Sequence, residues 1–210
     1  WGSAVGRTPG EFARVASRME AAGVAAVEIN LSCPNLEDGR MFALDPERSA
    51  EVVAAVREQT AGPIGAKLSP NADDIVAVAE ACAAAGADWV TLTNTISGAA
   101  IDVEGRRPVL SSGAGGYSGP PLKPIALRCV MEVASRLPGL PIVGCGGVVT
   151  GRDVVEYLMA GATAVGLGTV HFAEPRAAAR ILGELVSWCR RHGVTSVADL
   201  IGSAILEEDR

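Results

Sequence analysis

The sequence predicts an α/β protein in which helices cover a parallel sheet. Short runs rich in Val, Ile and Leu alternate with longer Ala-rich stretches along the whole chain. Each short run is apolar throughout, as strands buried on both faces are. This alternation is typical of parallel strands connected by helical crossovers.

Capping signals and glycines indicate where the helices begin and end. Thr8 and Asp45 each precede a proline, a favoured arrangement at a helix N-cap and first turn. Gly23, Gly86 and Gly161 each follow a helical stretch and end it. The predicted helices are 8–22, 45–60, 73–85, 121–137, 150–160, 175–191 and a short one at 196–201. The predicted strands are 26–31, 63–68, 88–93, 141–145 and 164–168.

The helix-to-strand turns at 85–90 and 160–165 repeat an AGA motif, as they do in (β/α)8 TIM barrels. Such a barrel has eight strands, so we expect residues 1–210 to form one barrel domain of which only about the last five strands are present. Because the chain begins with Trp1 and not Met, we expect an N-terminally truncated segment. We expect this segment alone to be unstable or inactive, since an incomplete barrel exposes sheet edges.

Composition argues against several function classes. The net charge is −6 and no Lys/Arg run is present, which argues against a nucleic-acid or anionic-membrane partner. No apolar run approaches the roughly 20 residues of a membrane span. The five cysteines form no CxxC pair, which argues against a zinc site or a disulfide framework and for a reducing cytoplasm.

The carboxyl ends of the last two predicted strands indicate a phosphate site. Gly146 and Gly147 follow one strand, and Gly168 and Thr169 end the next. Glycine backbone lets N–H groups approach an anion closely, and the helix that starts at Thr150 directs its positive end the same way. Tight turns with close packing are the alternative interpretation of either glycine motif alone.

Other strand ends carry polar side chains toward the same rim. Lys67 is a cation that could hold negative charge on a reduced flavin ring, or a rim lysine paired with a carboxylate. Asn30, Asn35 and Asn94 offer amides that match the edge of a pyrimidine or flavin ring, although asparagine is also common in turns. Cys33 is a candidate base or nucleophile, and an unperturbed thiol has a pKa of about 8.5.

The long glycine-rich connection 97–120 leaves one of these strand ends. A connection of this length in a compact domain is usually functional.

Six segments in order closely resemble class 1 dihydroorotate dehydrogenases, over essentially the whole chain. The segments 106–110 (RRPVL) and 118–124 (SGPPLKP) resemble the NAD-linked subclass, which pairs with an iron–sulfur flavoprotein subunit carrying FAD. The six segments are 28–35 (EINLSCPN), 67–71 (KLSPN), 93–95 (TNT), 115–127 (GGYSGPPLKPIAL), 141–148 (PIVGCGGV) and 161–169 (GATAVGLGT).

The resemblance implies oxidation of (S)-dihydroorotate to orotate in pyrimidine (UMP) synthesis, with FMN as cofactor and a homodimeric core. It implies that Cys33 takes a proton from C5 while the hydride from C6 goes to N5 of FMN. It assigns substrate binding to Asn30, Asn94 and Thr95. It assigns FMN binding to Asn30, Lys67, Thr93, Gly119, Gly146, Gly147, Gly168 and Thr169.

Three alternatives remain open at this point. A dihydropyrimidine dehydrogenase-type flavin domain shares the LSCP motif but usually has His where this chain has Asn35. A truncated FMN-binding module without activity is the second alternative. A purely structural protein is the third, and it leaves the polar residues at the strand ends unexplained.

Overall fold

The structure is a computed structural model that describes residues 1–32 and 41–206. Its centre is a curled, six-stranded parallel sheet, consistent with part of a (β/α)8 barrel. The strand order is β1-β2-β3-β4-β9-β10, and within the described residues β1 and β10 do not pair with each other. The sheet strands are β1 (Gly2–Ala4), β2 (Val27–Asn30), β3 (Ile64–Lys67), β4 (Trp89–Leu92), β9 (Ile142–Cys145) and β10 (Ala164–Gly166).

The prediction of five strands is therefore wrong by one. The missed strand is β1, which pairs in parallel with β2 through Gly2 and Val27 and their successors. It has three residues with the sequence GSA. Because none of them is β-branched or aromatic, the segment carries no strand signal of its own.

Helices cover the outer face of the sheet and make the core with it. The helices are α1 (Pro9–Ala21), α2 (Pro46–Gln59), α3 (Ile75–Ala84), α4 (Lys123–Arg136), α5 (Gly151–Met159), α6 (Val170–Ala173) and α7 (Ala177–Arg191). Strand residues such as Ile29, Val90 and Ile142 are fully buried in the main core. The predicted caps Thr8 and Asp45 are confirmed, since each side chain accepts a hydrogen bond from an amide in its helix's first turn.

Three helix predictions need correction at their ends. The cap of α3 is Asp74, so this helix begins later than predicted. The predicted helix 121–137 begins as a 3₁₀ turn at Pro120–Leu122 before α4. The short terminal helix is a 3₁₀ turn at Val197–Leu200. Helix ends are where sequence patterns are least informative, because several neighbouring polar residues can cap.

The predicted loop 97–120 contains short antiparallel strands, and we call residues 96–117 the excursion. At its base β5 (Ile96–Gly98) pairs with β8 (Gly115–Tyr117), and further out β6 (Ile101–Asp102) pairs with β7 (Arg107–Pro108). Several of its apolar side chains are exposed. These strands are too short to produce a recognisable alternation in sequence.

Alternation along the strands separates an outer face from an inner face. A side chain at Gly144 would overlap Tyr157 of α5, so this position faces the helices. Gly65 is paired with Trp89 and Gly144 with Leu92. Residues 89 and 92 point to opposite faces of β4, so Gly65 faces inward. Within residues 1–32 and 41–206, no helix is long and apolar enough to cross a membrane and no cluster of side chains could hold a metal ion.

Candidate active site

A cavity of about 140 Å³ opens at the carboxyl ends of four sheet strands. All ends of parallel strands lie on one rim, so side chains that follow different strands converge there. The cavity is smaller than a typical ligand site of about 300–1,000 Å³, so the described residues enclose only part of a ligand-sized space. Its lining is Lys67, Thr93, Asn94, Thr95, Ser118, Gly119, Leu122, Cys145, Gly146, Gly147, Val148, Gly168 and Thr169.

Nine of the residues predicted for the site line this one cavity. A tenth, Asn30, ends β2 and accepts a 2.9 Å hydrogen bond at Oδ1 from Nδ2 of Asn94. Cys33 and Asn35 lie outside the described residues. The structure thus brings the described candidates together, while their roles remain predictions.

The turn after β9 requires glycine. Gly146 and Gly147 both have positive φ, at 140° and 68°. A Cβ on Gly147 would come within 2.8–2.9 Å of the backbone of Gly119, Pro120 and Lys123. Neither the conformation nor the space tolerates a side chain at Gly147, because the turn packs directly against the start of α4.

Unpaired backbone donors surround this turn. Within the described part of the chain, the amides of Gly146, Gly147, Gly168 and Thr169 donate to no protein acceptor. Gly146 and Gly147 are half-buried and Gly168 and Thr169 are exposed. Four unpaired N–H groups that converge on one cavity favour an anionic or acceptor-rich ligand.

The first turn of α5 contributes less than predicted. The amides of Val149 and Thr150 both donate to Asp153 Oδ2, at 2.9 and 2.7 Å. The amide of Gly151 donates to Glu184 at 2.7 Å. Because protein carboxylates occupy these donors, the free N–H groups at the cavity come from the glycine turns instead.

Two buried side chains that the sequence did not reveal hold the turn from behind. The Tyr157 hydroxyl donates to Gly146 O at 2.6 Å, and burial raises the pKa of Tyr157. Asp153 also binds Lys123 at 2.5 Å, which links α5 to α4. Although burial opposes ionisation of Asp153, hydrogen bonds from Lys123, Val149 and Thr150 lower its pKa.

Lys67 stands above a carboxylate on the inner face. Its Nζ lies 4.0 Å from Glu28 Oε1, and the other oxygen of Glu28 accepts a 2.6 Å bond from Thr91. The Lys67 side chain keeps 27% of its surface exposed on the cavity side of this pair. The rim-lysine interpretation is thus partly right, and the lysine also lines the cavity.

Cys145 lies between this pair and the glycine turn. Burial raises the pKa of its thiol, and the negative charge of Glu28 adds to the increase, although Lys67 opposes it. A neutral thiol fits a packing role for this residue.

A second group of amides forms the opposite side of the cavity. Asn94 Oδ1 accepts a hydrogen bond from the amide of Thr95 at 2.8 Å, and Asn94 Nδ2 donates to Asn30 Oδ1. Both polar atoms of the Asn94 side chain are thereby oriented. A cis peptide bond joins Leu92 to Thr93 just before this group. The Oγ1 of Thr93 is buried and has no partner among the described residues.

Comparison with known proteins identifies a family that the chain matches. A family model described as dihydroorotate dehydrogenase matches residues 2–188. Two relatives, from Geobacter sp. strain M21 and Citrifermentans bemidjiense, are each 48% identical over 200 residues and named dihydroorotate dehydrogenase B (NAD(+)), catalytic subunit. The alignments cover 94% of this chain but 65% of those proteins.

A solved structure supports the same fold. Ligand-free DHODH from Eimeria tenella superposes with a TM-score of 0.73 at 25% identity. That alignment covers 93% of this chain and 58% of the other. The chain therefore spans about two-thirds or less of each of these proteins.

Proposed function

Because the chain belongs to the dihydroorotate dehydrogenase family, we propose that it carries the FMN and substrate residues for oxidising (S)-dihydroorotate to orotate. The proposal depends on one observation, the convergence of the predicted site residues on a single cavity. Nine residues, from four strand ends and from the segment just after the excursion, line one cavity, and Asn30 is hydrogen-bonded to one of them, Asn94. The family resemblance implies roles for the same residues.

The described residues fit FMN on three observations. The unpaired amides of the Gly146–Gly147 and Gly168–Thr169 turns match the acceptor oxygens of a phosphate. The orphaned Thr93 Oγ1 is a buried donor that a ring heteroatom would satisfy. Lys67 places a positive charge beside the cavity, where it would stabilise an anionic ring. When bound, FMN would supply the two-electron acceptor for the hydride that leaves C6.

The chain's own residues perform the remaining tasks in this proposal. Asn30, Asn94 and Thr95 bind and orient the pyrimidine ring, because oriented amides match its alternating donors and acceptors. The Cys33 thiolate removes the proton from C5. This assignment rests on the resemblance, since Cys33 lies outside the described residues.

The names of the relatives extend the proposal to partners. They are catalytic subunits of NAD(+)-linked enzymes, so we propose that an FAD- and iron–sulfur-containing subunit takes the electrons onward. We also propose a homodimeric core. The four described cysteines are free thiols, which supports our assignment of the protein to the reducing cytoplasm.

The decisive experiment is the visible absorbance spectrum of the complete gene product, before and after anaerobic addition of dihydroorotate. We expect a flavin band that bleaches with dihydroorotate and stays unchanged with 5,6-dihydrouracil. Bleaching by 5,6-dihydrouracil instead would support a dihydropyrimidine dehydrogenase-type domain. A flavin band that neither compound bleaches would overturn the proposal in favour of an FMN-binding module without activity.

The role of Cys33 is tested by Cys33→Ser, which replaces the thiol with a much weaker acid. We expect flavin reduction to slow by about 10²–10⁴-fold without loss of bound FMN. An unchanged rate would show that another group is the base.

A further inference from the structure

The side chain of Asn71, in the connection after β3, is committed to three hydrogen bonds. Its Nδ2 donates to Ser69 Oγ at 2.8 Å and to Thr95 O at 3.1 Å. Its Oδ1 accepts from the amide of Ser97 at 2.9 Å. The carboxamide is half-buried and both of its polar atoms are in use.

Two of these bonds are the ones that the backbone of a neighbouring parallel strand would make. In a pair of parallel strands, the N–H of a residue donates to the C=O of the residue before its partner, and its C=O accepts from the N–H of the residue after its partner. Asn71 makes this pair of bonds to Thr95 and Ser97, which flank Ile96. Ile96 begins β5, whose other edge pairs with β8 through Tyr117. The base of the excursion therefore lies between β8 and the Asn71 amide.

The Asn71 contact continues the sheet beyond the end of its strands. The amide of Asn94 donates to Leu68 O at 2.8 Å, which is the final backbone bond between the ends of β3 and β4. Further along, the link to Thr95 and Ser97 passes through the Asn71 side chain. On the opposite side, a Cβ at Gly116 would overlap the Thr95 side chain, so β8 packs closely against it. Thr95 is therefore held from both sides.

We propose that Asn71 is a positioning residue for the pyrimidine ring: it fixes the Asn94–Thr95 segment and the base of the excursion at the cavity, an inference that rests on the proposed function. Asn71 does not line the cavity. It acts through Thr95, whose carbonyl it orients. Its loss therefore weakens ring binding and leaves the FMN-phosphate side unchanged.

The test compares Asn71→Ala with Asn71→Asp and Ser97→Ala in the complete gene product loaded with FMN. Asn71→Ala removes all three bonds. Asn71→Asp keeps the acceptor for the Ser97 amide but sets a carboxylate oxygen against Thr95 O. Ser97→Ala is the matched control, because Asn71 binds the backbone of Ser97 and its side chain is exposed.

Orotate affinity, measured by its perturbation of the flavin spectrum, is the first readout. We expect both Asn71 variants to bind orotate about 10-fold more weakly, as for loss of one or two hydrogen bonds. We expect KM for dihydroorotate to rise similarly while kcat changes by less than about threefold. FMN affinity and the Ser97→Ala variant should match the wild type. Wild-type orotate affinity in Asn71→Ala would overturn the inference.

Hydrogen exchange separates failure of this inference from failure of the proposed function. We expect the Ser97 amide to exchange at least about 10-fold faster in Asn71→Ala, because its acceptor is gone. Wild-type protein that does not bind orotate would overturn the proposed function. An unchanged Ser97 exchange rate would overturn the inference that Asn71 holds the base of the excursion.

Discussion

The two sides of the candidate site are made of different chemical groups. The phosphate side is the part of the cavity at Gly146–Gly147 and Gly168–Thr169, where we propose that the FMN phosphate binds. There, backbone amides face the cavity, and buried Tyr157 and Asp153 support the turn after β9 from behind. The ring side is the part at Asn30, Asn94 and Thr95, where we propose that the pyrimidine ring binds. There, carboxamide side chains orient one another, as Asn30 and Asn94 do. The first side depends on the absence of side chains, and the second depends on their presence.

Because of this difference, the two sides should be sensitive to different kinds of substitution. A backbone donor cannot be deleted by substitution, so the phosphate side fails when atoms are added or its rear supports are removed. The ring side fails when a carboxamide is shortened. The following substitutions test this contrast in the complete gene product.

The largest expected effect is that of Gly147→Ala. The added Cβ meets backbone atoms at 2.8–2.9 Å in a positive-φ conformation, so the turn must move. We expect FMN affinity, measured by flavin fluorescence titration, to fall at least about 100-fold. Gly139→Ala is the control, since Gly139 also has positive φ but has open space around it. Equal FMN affinity in both variants would contradict the prediction.

Asp153→Asn should reduce stability next most strongly. It leaves Lys123 with only Glu156 and weakens the acceptor for Val149 and Thr150. We expect a loss of about 2–3 kcal/mol in the free energy of unfolding at pH 7. Glu132→Gln, which breaks an exposed ion pair with Arg128, should cost less than about 0.5 kcal/mol.

The contribution of Asp153 has a defined pH dependence. Because its folded-state pKa lies below its ordinary value, the stabilisation is complete above about pH 4 and is lost as the pH falls through the lowered folded value. Urea unfolding at a series of pH values should show the difference between wild type and Asp153→Asn shrinking only in acid. A difference that instead shrank between pH 7 and pH 5 would implicate another group.

On the ring side, Asn94→Ala should weaken orotate binding about 10–100-fold, because it removes one oriented carboxamide and frees another. FMN affinity should stay within about twofold of wild type. Calorimetric titrations with each ligand measure both values. A loss of FMN binding in this variant would show that the two sides are not separable.

The smallest expected effect is that of Tyr157→Phe, which removes the hydroxyl that binds Gly146 O. We expect FMN to bind about 5–10-fold more weakly while riboflavin, which lacks the phosphate, binds unchanged. Tyr117→Phe is the control, since this is the chain's other tyrosine and it is 52% exposed. Equal weakening of riboflavin would place the effect outside the phosphate side.

The candidate site was predictable from sequence wherever its residues follow a strand directly. Strand ends share one rim in a parallel sheet, so Lys67, Thr93 and Gly147 could be grouped by position alone. The same logic shows why the supports were missed. Tyr157 lies on a helix and contacts a turn eleven residues earlier, and Asn71 reaches across to Ser97, 26 residues away. Such contacts leave no local pattern.

The elements of the fold also divide into those with a local sequence signal, which could be predicted, and those without one. Helices with a polar cap and a proline, such as those after Thr8 and Asp45, were placed to within a residue or two. The strand β1 and the short strands of the excursion were missed because pairing defines them and their composition does not. Long-range partners determine these elements, and a single sequence does not show its partners.

The packing of Tyr157 against Gly144 also constrains how relatives can diverge. Because Gly144 has no side chain, the ring of Tyr157 packs against the strand at this position, and its hydroxyl donates to Gly146 O. Any larger residue at position 144 displaces the ring and with it the hydroxyl. The two positions should therefore change together among homologues, and a lineage that loses one of them must hold its glycine turn by a different bond.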